Sequence, residues 1–271
     1  MTVILAIDAA WTATEPAGVA LVASDGIGWE LVAVTPNYDS FLLLAEGTPV
    51  DWSQQSRFAG SVPDVPNLLQ AAKRLAGSPV DLVTIDMPIA TVPITSRREA
   101  DNEISIVFGG RGCSTHTPSA VRPGQLGAEI TEAFGREGFP VATTGTTTFR
   151  IPHLIEVYPH PALLALLGRP YRVPYKAGKS RRYWPNHNLE GRIGQLYAEY
   201  SVIHAALSNV FSGLEEFPIG LAANVSTLST LKRYEDAIDA LVCAYVGVSC
   251  VEGSATAYGD KTAAIWCPTD A

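Results

Sequence analysis

From Ala237 to Val251 the chain reads AIDALVCAYVGVSCV, and Asp239 is its only formally charged residue. The helical pattern traces back to Leu228, and over Ala237–Val251 it is apolar on nearly all sides. Such a helix is buried rather than amphipathic, so the fold must cover it on more than one face. It must also compensate the acid inside it, because a carboxylate in apolar surroundings costs free energy unless it is paired or bound to a cation. Asp236 stands three residues earlier, which lets both acids lean toward one edge of the helix. Two readings are open for Asp239: an ion pair with an Arg or Lys elsewhere, or membership of a site.

Three further acids sit in apolar segments. Asp8 ends the strand-like run VILAID, Asp86 ends DLVTID just before Met87-Pro88, and Glu156 interrupts HLIEVYP ahead of Pro159 and Pro161. A single Asp at a strand end is ordinarily a turn former or a helix cap. Four such acids in one chain suggest a common site, since strand ends beside loops are where open α/β sheets assemble their chemistry. Convergence would need neutralisation. Hard oxygen ligands select Mg²⁺, Mn²⁺ or Ca²⁺ over zinc, and two such ions could activate a water and stabilise the leaving oxygen of a phosphodiester. The expected ligands are Asp8, Asp86, Glu156 and Asp239, with Asp236 as an alternative or additional ligand on the helix.

Along the chain, residues 2–10, Gly18–Ser24 and Trp29–Thr35 read as three strands, the last two joined by an Asp25-Gly26 turn, which suggests an antiparallel meander. Pro63–Ala76 reads as a helix stopped by Gly77, Asp81–Asp86 as a buried strand, and Ile151–Tyr158 as another. Residues 91–150 are rich in Gly, Thr, Ser and Pro with one helix near Gly127–Gly138, and read as an insertion in a single domain spanning 1–271. A short helix at Ala162–Leu167, long helices at Glu190–Phe211 and Leu228–Val251, and a terminal strand at Ala263–Cys267 complete an α/β layout with a mixed sheet.

The net charge of −8 argues against a broad basic surface for holding nucleic acid, since phosphate affinity is largely electrostatic. A nuclease remains compatible, because bound cations offset clustered acids. The one dense basic stretch, Tyr171–Asn188, interleaves Lys176, Lys179, Arg181 and Arg182 with Tyr175, Tyr183 and Trp184. It is either a phosphate grip with a stacking surface or a solvated loop. AGKS (177–180) lacks the glycine-rich turn of a phosphate-binding P-loop. Arg97 and Arg98 are open to substrate-phosphate contact or to helix salt bridges. His160 either meets the site or a phosphate, or caps the next helix turn. Cys113 and His116 are too few for zinc, and a Cys nucleophile there needs a geometry that spacing does not specify. The four cysteines form no C-x-x-C pair and read as small buried thiols. No window reaches roughly 18 uninterrupted apolar residues, and the first residues lack a signal-peptide pattern. A cytoplasmic protein with no membrane association is expected.

The motifs AIDAAW (6–11), IDMPIA (85–90), RREAD (97–101), RGCSTHTPS (111–119), EVYPHPAL (156–163), YKAGKS (175–180), DAIDALVCAY (236–245) and GDKTAAIWCP (259–268) occur in order. Together they resemble the family of predicted ribonuclease-H-like nucleases catalogued as domain of unknown function 429. The resemblance implies a ribonuclease-H-like mixed sheet, three antiparallel strands then parallel ones, flanked by helices. It also implies a metal-dependent nuclease activity using Mg²⁺ or Mn²⁺, with Asp8, Asp86, Glu156 and Asp236 or Asp239 at the positions of the family's acids. Ala90 stands where the family often has glycine, which leaves the acid at Asp86 in place.

The expectation is therefore a metal-dependent phosphodiesterase acting on nucleic acid or nucleotides, with Lys176, Lys179, Arg97, Arg98 and His160 as substrate contacts. Two rivals stand beside it. One is a small-molecule phosphotransferase or phosphatase on an actin-like sheet, though AIDAAWTATEPAG (6–18) is a poor match for its glycine-rich phosphate turns. The other is a non-enzymatic binding protein.

Overall fold

The computed structural model describes residues 1–53, 57–119, 121–149, 152–217 and 227–269. Eight strands form one mixed sheet: β1 (Thr2–Asp8), β2 (Gly18–Ser24), β3 (Trp29–Thr35), β4 (Leu82–Ile85), β5 (His153–Val157), β6 (Phe211–Ser212), β7 (Ala255–Gly259) and β8 (Ala264–Pro268). Their order is β6-β3-β2-β1-β4-β5-β8-β7. The β1–β2 and β2–β3 pairs are antiparallel, β4 and β5 run parallel to β1, β8 runs parallel to β5, and β7 closes the edge antiparallel to β8. The Asp25-Gly26 turn forms as its residues predict. Asp25 accepts a hydrogen bond from the Ile27 amide at 3.0 Å, and Gly26 sits at φ +101, where a side chain would be strained.

Among the described residues, eight helices flank the sheet: α1 (Tyr38–Ala45), α2 (Val65–Ala76), α3 (Glu99–Phe108), α4 (Gln125–Arg136), α5 (Pro159–Leu167), α6 (Ser180–Tyr183), α7 (Leu189–Leu207) and α8 (Leu228–Val251). The central strands are apolar throughout because both faces are covered. Side chains alternate between faces with period two. Ile4, Ala6, Ala20, Val22, Leu82 and Ile155 pack in one core with α5, α7 and α8. Val3, Leu5, Ile7, Val19, Leu21, Val83 and Leu154 pack in a second core with α1, α2 and α4. Helix α8 is buried all round because the sheet lies under it and α7 and α5 lie over it.

Glycine at position 18 sets how close α8 comes. A Cβ there would overlap the backbone carbonyl of Asp236. That close approach lowers the acids of α8 onto the end of β1, where Asp8 pairs with Gly18 across the β1–β2 ladder.

Several elements differ from expectation for identifiable reasons. Residues 91–150 hold two helices rather than one. Helix α3 has Arg98 at its N-cap, a residue that rarely caps a helix, and Asp101 performs the capping by accepting from the Arg98 amide at 3.0 Å. Helix α1 is capped by Asn37, whose side chain accepts from the Ser40 amide. Strand β7 lacks an apolar run because it is a partly exposed edge. Position 151 of the predicted strand lies outside the described residues; the described strand begins at His153. Among the described residues, no helix is long and apolar enough to cross a membrane.

Candidate functional site

Residue parity decides which acids meet. Ile4 and Ala6 face α8, so Asp8, two residues on, faces α8 as well. Leu82 faces α8 too, and Thr84 lies against the α8 backbone at Gly247; Asp86 continues that face just past the end of β4. Ile155 and Val157 face α8, so Glu156 between them points the other way.

On the α8 side, Asp8 feels the charges of Asp239 and Asp236, and Asp86 that of Asp239, and Asp8, Asp86 and Asp236 line one cleft. Asp239 is fully enclosed. Its Oδ1 accepts from the Tyr175 hydroxyl at 2.5 Å and its Oδ2 pairs with Lys176 Nζ. Glu235 accepts from the Ala177 amide at 2.6 Å and lies 3.6 Å from Lys176 and 3.1 Å from Lys232. Asp236 Oδ1 pairs with Lys232, one helical turn earlier, whereas its Oδ2 is buried with no hydrogen-bond partner among the described residues. No donor among the described residues bonds the carboxylates of Asp8 or Asp86.

The electrostatics follow from this crowding. Burial, then Asp239, raises the Asp8 carboxyl well above its ordinary value. Burial pushes Asp86 up to about 7, with Lys176 opposing and Asp239 and Glu156 adding to the rise. Asp236 is likewise pushed up to about 7 by burial, against the pull of Lys232. Glu235 is lowered despite its burial, because both lysines and the Ala177 amide hold its charge.

A cleft of ≈ 840 Å³ opens over these groups, lined by Asp8, Asp86, Asp236, Lys176 and Lys232, with Trp11, His116 and Arg122 at its rim. Arg122 stacks on the Trp11 ring at 5.8 Å.

Glu156 belongs to a different cluster. Arg98 donates to both its oxygens, at 2.5 and 2.7 Å, and the Ile89 amide donates to Oε2 at 2.9 Å. Arg98 also binds Asp101 and the Ile89 carbonyl. Glu156 and Arg98 therefore lock the segment that follows Asp86. Arg97 is spent in the same region, donating to Asn102, Thr117, Ser105 and the Asp101 carbonyl, and so fixes the loop that carries His116. Both arginines thus make internal bonds rather than presenting free guanidinium groups.

Of the expected phosphate contacts, Lys176 is turned onto Asp239, while Lys179 and His160 line a smaller pocket beyond Asp86. Cys113 is buried, and its thiol is pushed up to about 11, chiefly by burial, which removes the thiolate a nucleophile needs.

Lys232, Glu235 and Arg172 were not anticipated from the sequence, and Tyr175 was read as stacking surface rather than as the partner of Asp239. Only Lys232 carried a local signal, its i, i+4 spacing to Asp236. The partners of Asp239 come from 63 and 64 residues away.

The family model described as "Protein of unknown function (DUF429)" matches residues 7–263. The chain belongs to this family. The DUF429 match takes in Asp8, Asp86, Glu156, Asp236 and Asp239 and every lysine and arginine of the cleft. No curated protein and no solved structure matches the chain.

Proposed function

We propose that this protein is a divalent-metal-dependent phosphodiesterase, a nuclease of ribonuclease-H-like fold, whose metal is Mg²⁺ or Mn²⁺. The observation that carries the reading is the meeting of Asp8 and Asp86, from adjacent parallel strands, with Asp236 and Asp239 of the helix packed across them, under an open cleft. The run β3-β2-β1-β4-β5, with β2 antiparallel to its neighbours, supports the ribonuclease-H-like assignment.

The donor set fits a hard divalent cation in its chemistry. All four groups are carboxylates, Asp236 Oδ2 is a buried oxygen without a partner, and the Asp8 and Asp86 carboxylates have no donor among the described residues. Among the described residues, however, no three His, Cys, Asp or Glu side chains close on one point, and two ammonium groups balance the acids. Asp8, Asp86 and Asp236 would hold the cation. Lys232, with 37% of its side chain exposed against 20% for Lys176, is the group that gives way to it. Asp239 stays behind them, held by Tyr175 and Lys176, and keeps the floor of the site charged and rigid.

A bound cation of this kind polarises a phosphoryl oxygen and makes a coordinated water more acidic. The chain's own residues do the rest. Lys176 stays on the floor of the cleft as a fixed positive charge, Arg122 and His116 line the rim where a phosphate enters, and Glu156 with Arg98 holds the Asp86 segment in place. Lys176 and Lys232 also favour a second reading, in which the lysines neutralise the acids permanently and the cleft binds without reacting. Hydrolysis assays on DNA, RNA and nucleotides with Mn²⁺ separate the two. The proposal expects turnover that falls by at least about 100-fold in Asp86→Asn; no Mn²⁺-dependent turnover on any of these substrates would overturn it.

A further inference from the structure

Past Asp86 the cleft leads into a smaller pocket of ≈ 170 Å³, and Trp11, Asp86 and His116 line both spaces. The charge of this pocket is divided. Three acids line it: Asp86, which also faces the cleft, and Glu156 and Asp101, both already engaged by Arg98. Arg172, Lys179 and His160 line it as well.

The hydrogen-bonding capacity of these last three is unmet. Arg172 uses Nη1 on the Gly112 carbonyl, at 3.3 Å, and Nη2 on His160 Nε2, but its buried Nε has no partner among the described residues. A guanidinium only donates, so Nε2 of His160 accepts and the imidazole proton sits on Nδ1. That Nδ1 is also buried and without a partner, on a ring that is 7% exposed. Burial and the neighbouring Lys176, Arg172 and Lys179 keep this imidazole neutral, as the tautomer requires. Lys179 makes no ion pair with any described residue. Donors and positive charge that no acid of the described residues pairs with are suited to an anion.

The size narrows the anion. Pockets for drug-sized ligands run from roughly 300 Å³ upward, so ≈ 170 Å³ suits one tetrahedral oxyanion and excludes a nucleoside. Arg172 and Lys179 also line a neighbouring pocket of ≈ 390 Å³ with Tyr171, Tyr183 and Trp184, which offers aromatic surface to whatever the oxyanion is attached to.

We infer that Arg172, Lys179 and His160 form a phosphate-binding subsite, which holds a substrate phosphate next to the one attacked over Asp8 and Asp86. The second clause rests on the hydrolase reading; the subsite itself does not. The phosphate belongs either to the interior of a strand or to a phosphorylated end.

The test is calorimetric titration of the full chain with inorganic orthophosphate in a chelator, without divalent metal. Saturable binding is expected, weakened at least about tenfold by Arg172→Gln and by Lys179→Gln. Arg136→Ala, in a remote exposed pair with Glu132, should leave it unchanged. Arg172 also ties down Gly112 and His160, so Lys179→Gln keeps the test decisive should Arg172→Gln fold poorly. No saturable binding by the wild-type chain, an unchanged affinity in Lys179→Gln, or saturation only at phosphate concentrations that Arg136→Ala and Lys179→Gln share would overturn the inference.

A kinetic arm identifies the source of the phosphate. If Lys179→Gln raises KM for a 5′- or 3′-phosphorylated oligonucleotide and not for its hydroxyl-ended counterpart, the subsite takes a terminal phosphate. If it raises both alike, the subsite takes an internal one. Loss of orthophosphate binding in Lys179→Gln, in a protein that hydrolyses nothing, would leave the subsite standing and remove the hydrolase reading. Hydrolysis with phosphate binding indifferent to Lys179 would do the reverse.

Discussion

Arg98 closes on Glu156 through both terminal nitrogens, at 2.5 and 2.7 Å, and holds Asp101 with the same guanidinium. This relationship separates Glu156 from the acids it accompanies in sequence. Its carboxylate is already neutralised and bound, so it positions the Asp86 segment rather than facing the cleft. Removing one partner of a buried ion pair strands the other, at about 3–5 kcal/mol. Arg98→Ala should therefore lower unfolding free energy by about that amount in chemical denaturation. Glu156→Gln should lower Mn²⁺ affinity by about 10–100-fold without abolishing it, as expected of a residue that positions a ligand and is not one.

Lys176 plays the corresponding part for Asp239. Lys176→Met leaves Asp239 and Glu235 short of their shared cation, and a loss of about 3–5 kcal/mol is expected at neutral pH. The double variant Lys176→Met/Asp239→Asn should recover a large part of it, because the stranded charge is gone. Denaturant midpoints of the three proteins measure the recovery, and a double variant no better than the single one would contradict this pairing.

The sequence made Asp8 and Asp86 legible because an acid ending an apolar strand is conspicuous. Glu156 looked equivalent for the same reason, and its face could not be read. A strand buried on both sides has no polar alternation to reveal parity, and only the packing of Ile155 and Val157 on α8 shows it. Asp239 stood out as uncompensated because Tyr175 and Lys176 are remote in sequence. The structure shifts weight to Asp236, which lines the cleft and keeps an oxygen free. Helix α8 was legible from end to end, since the apolar stretch from Ala237 to Val251 continues a helical pattern that Thr227 caps and that stops at Glu252. Helix α3 was not, because its cap depends on Asp101 reaching back to an arginine.

Stability should depend on pH through the crowded acids. Asp86 and Asp236 are pushed up to about 7 in the fold by burial, against an ordinary carboxyl value near 3.9 in the unfolded chain. The folded protein thus holds these protons more tightly. The contribution is fully present below the unfolded value and is lost as pH rises through about 7. In a chelator, the melting temperature should fall between about pH 5.5 and pH 8.5. Millimolar Mn²⁺ should reduce the fall by binding the ionised acids, and Asp86→Asn/Asp236→Asn should flatten it. A flat profile for the wild-type chain would contradict the assigned crowding.

Gly18 carries the approach of α8 to the sheet, since a Cβ there meets the Asp236 carbonyl. Backbone cannot yield as a side-chain tip does, so Gly18→Ala should cost about 3 kcal/mol or more. The same change should weaken Mn²⁺ binding, because displacing α8 moves Asp236 away from Asp8. Ala20→Gly, on the same strand and face, is the control for a general loss of strand stability.

A divalent cation shared by Asp8, Asp86 and Asp236 is the centre of the proposed chemistry. The most direct test is a Mn²⁺ titration of the full chain by calorimetry, paired with a crystal structure of the Mn²⁺-soaked protein read by anomalous scattering. The predicted result is saturable binding, with an anomalous peak bounded by Asp8, Asp86 and Asp236 and Lys232 displaced, all abolished in Asp86→Asn. Absence of Mn²⁺ binding at millimolar concentration, with Lys176 and Lys232 still paired to the acids, would contradict it.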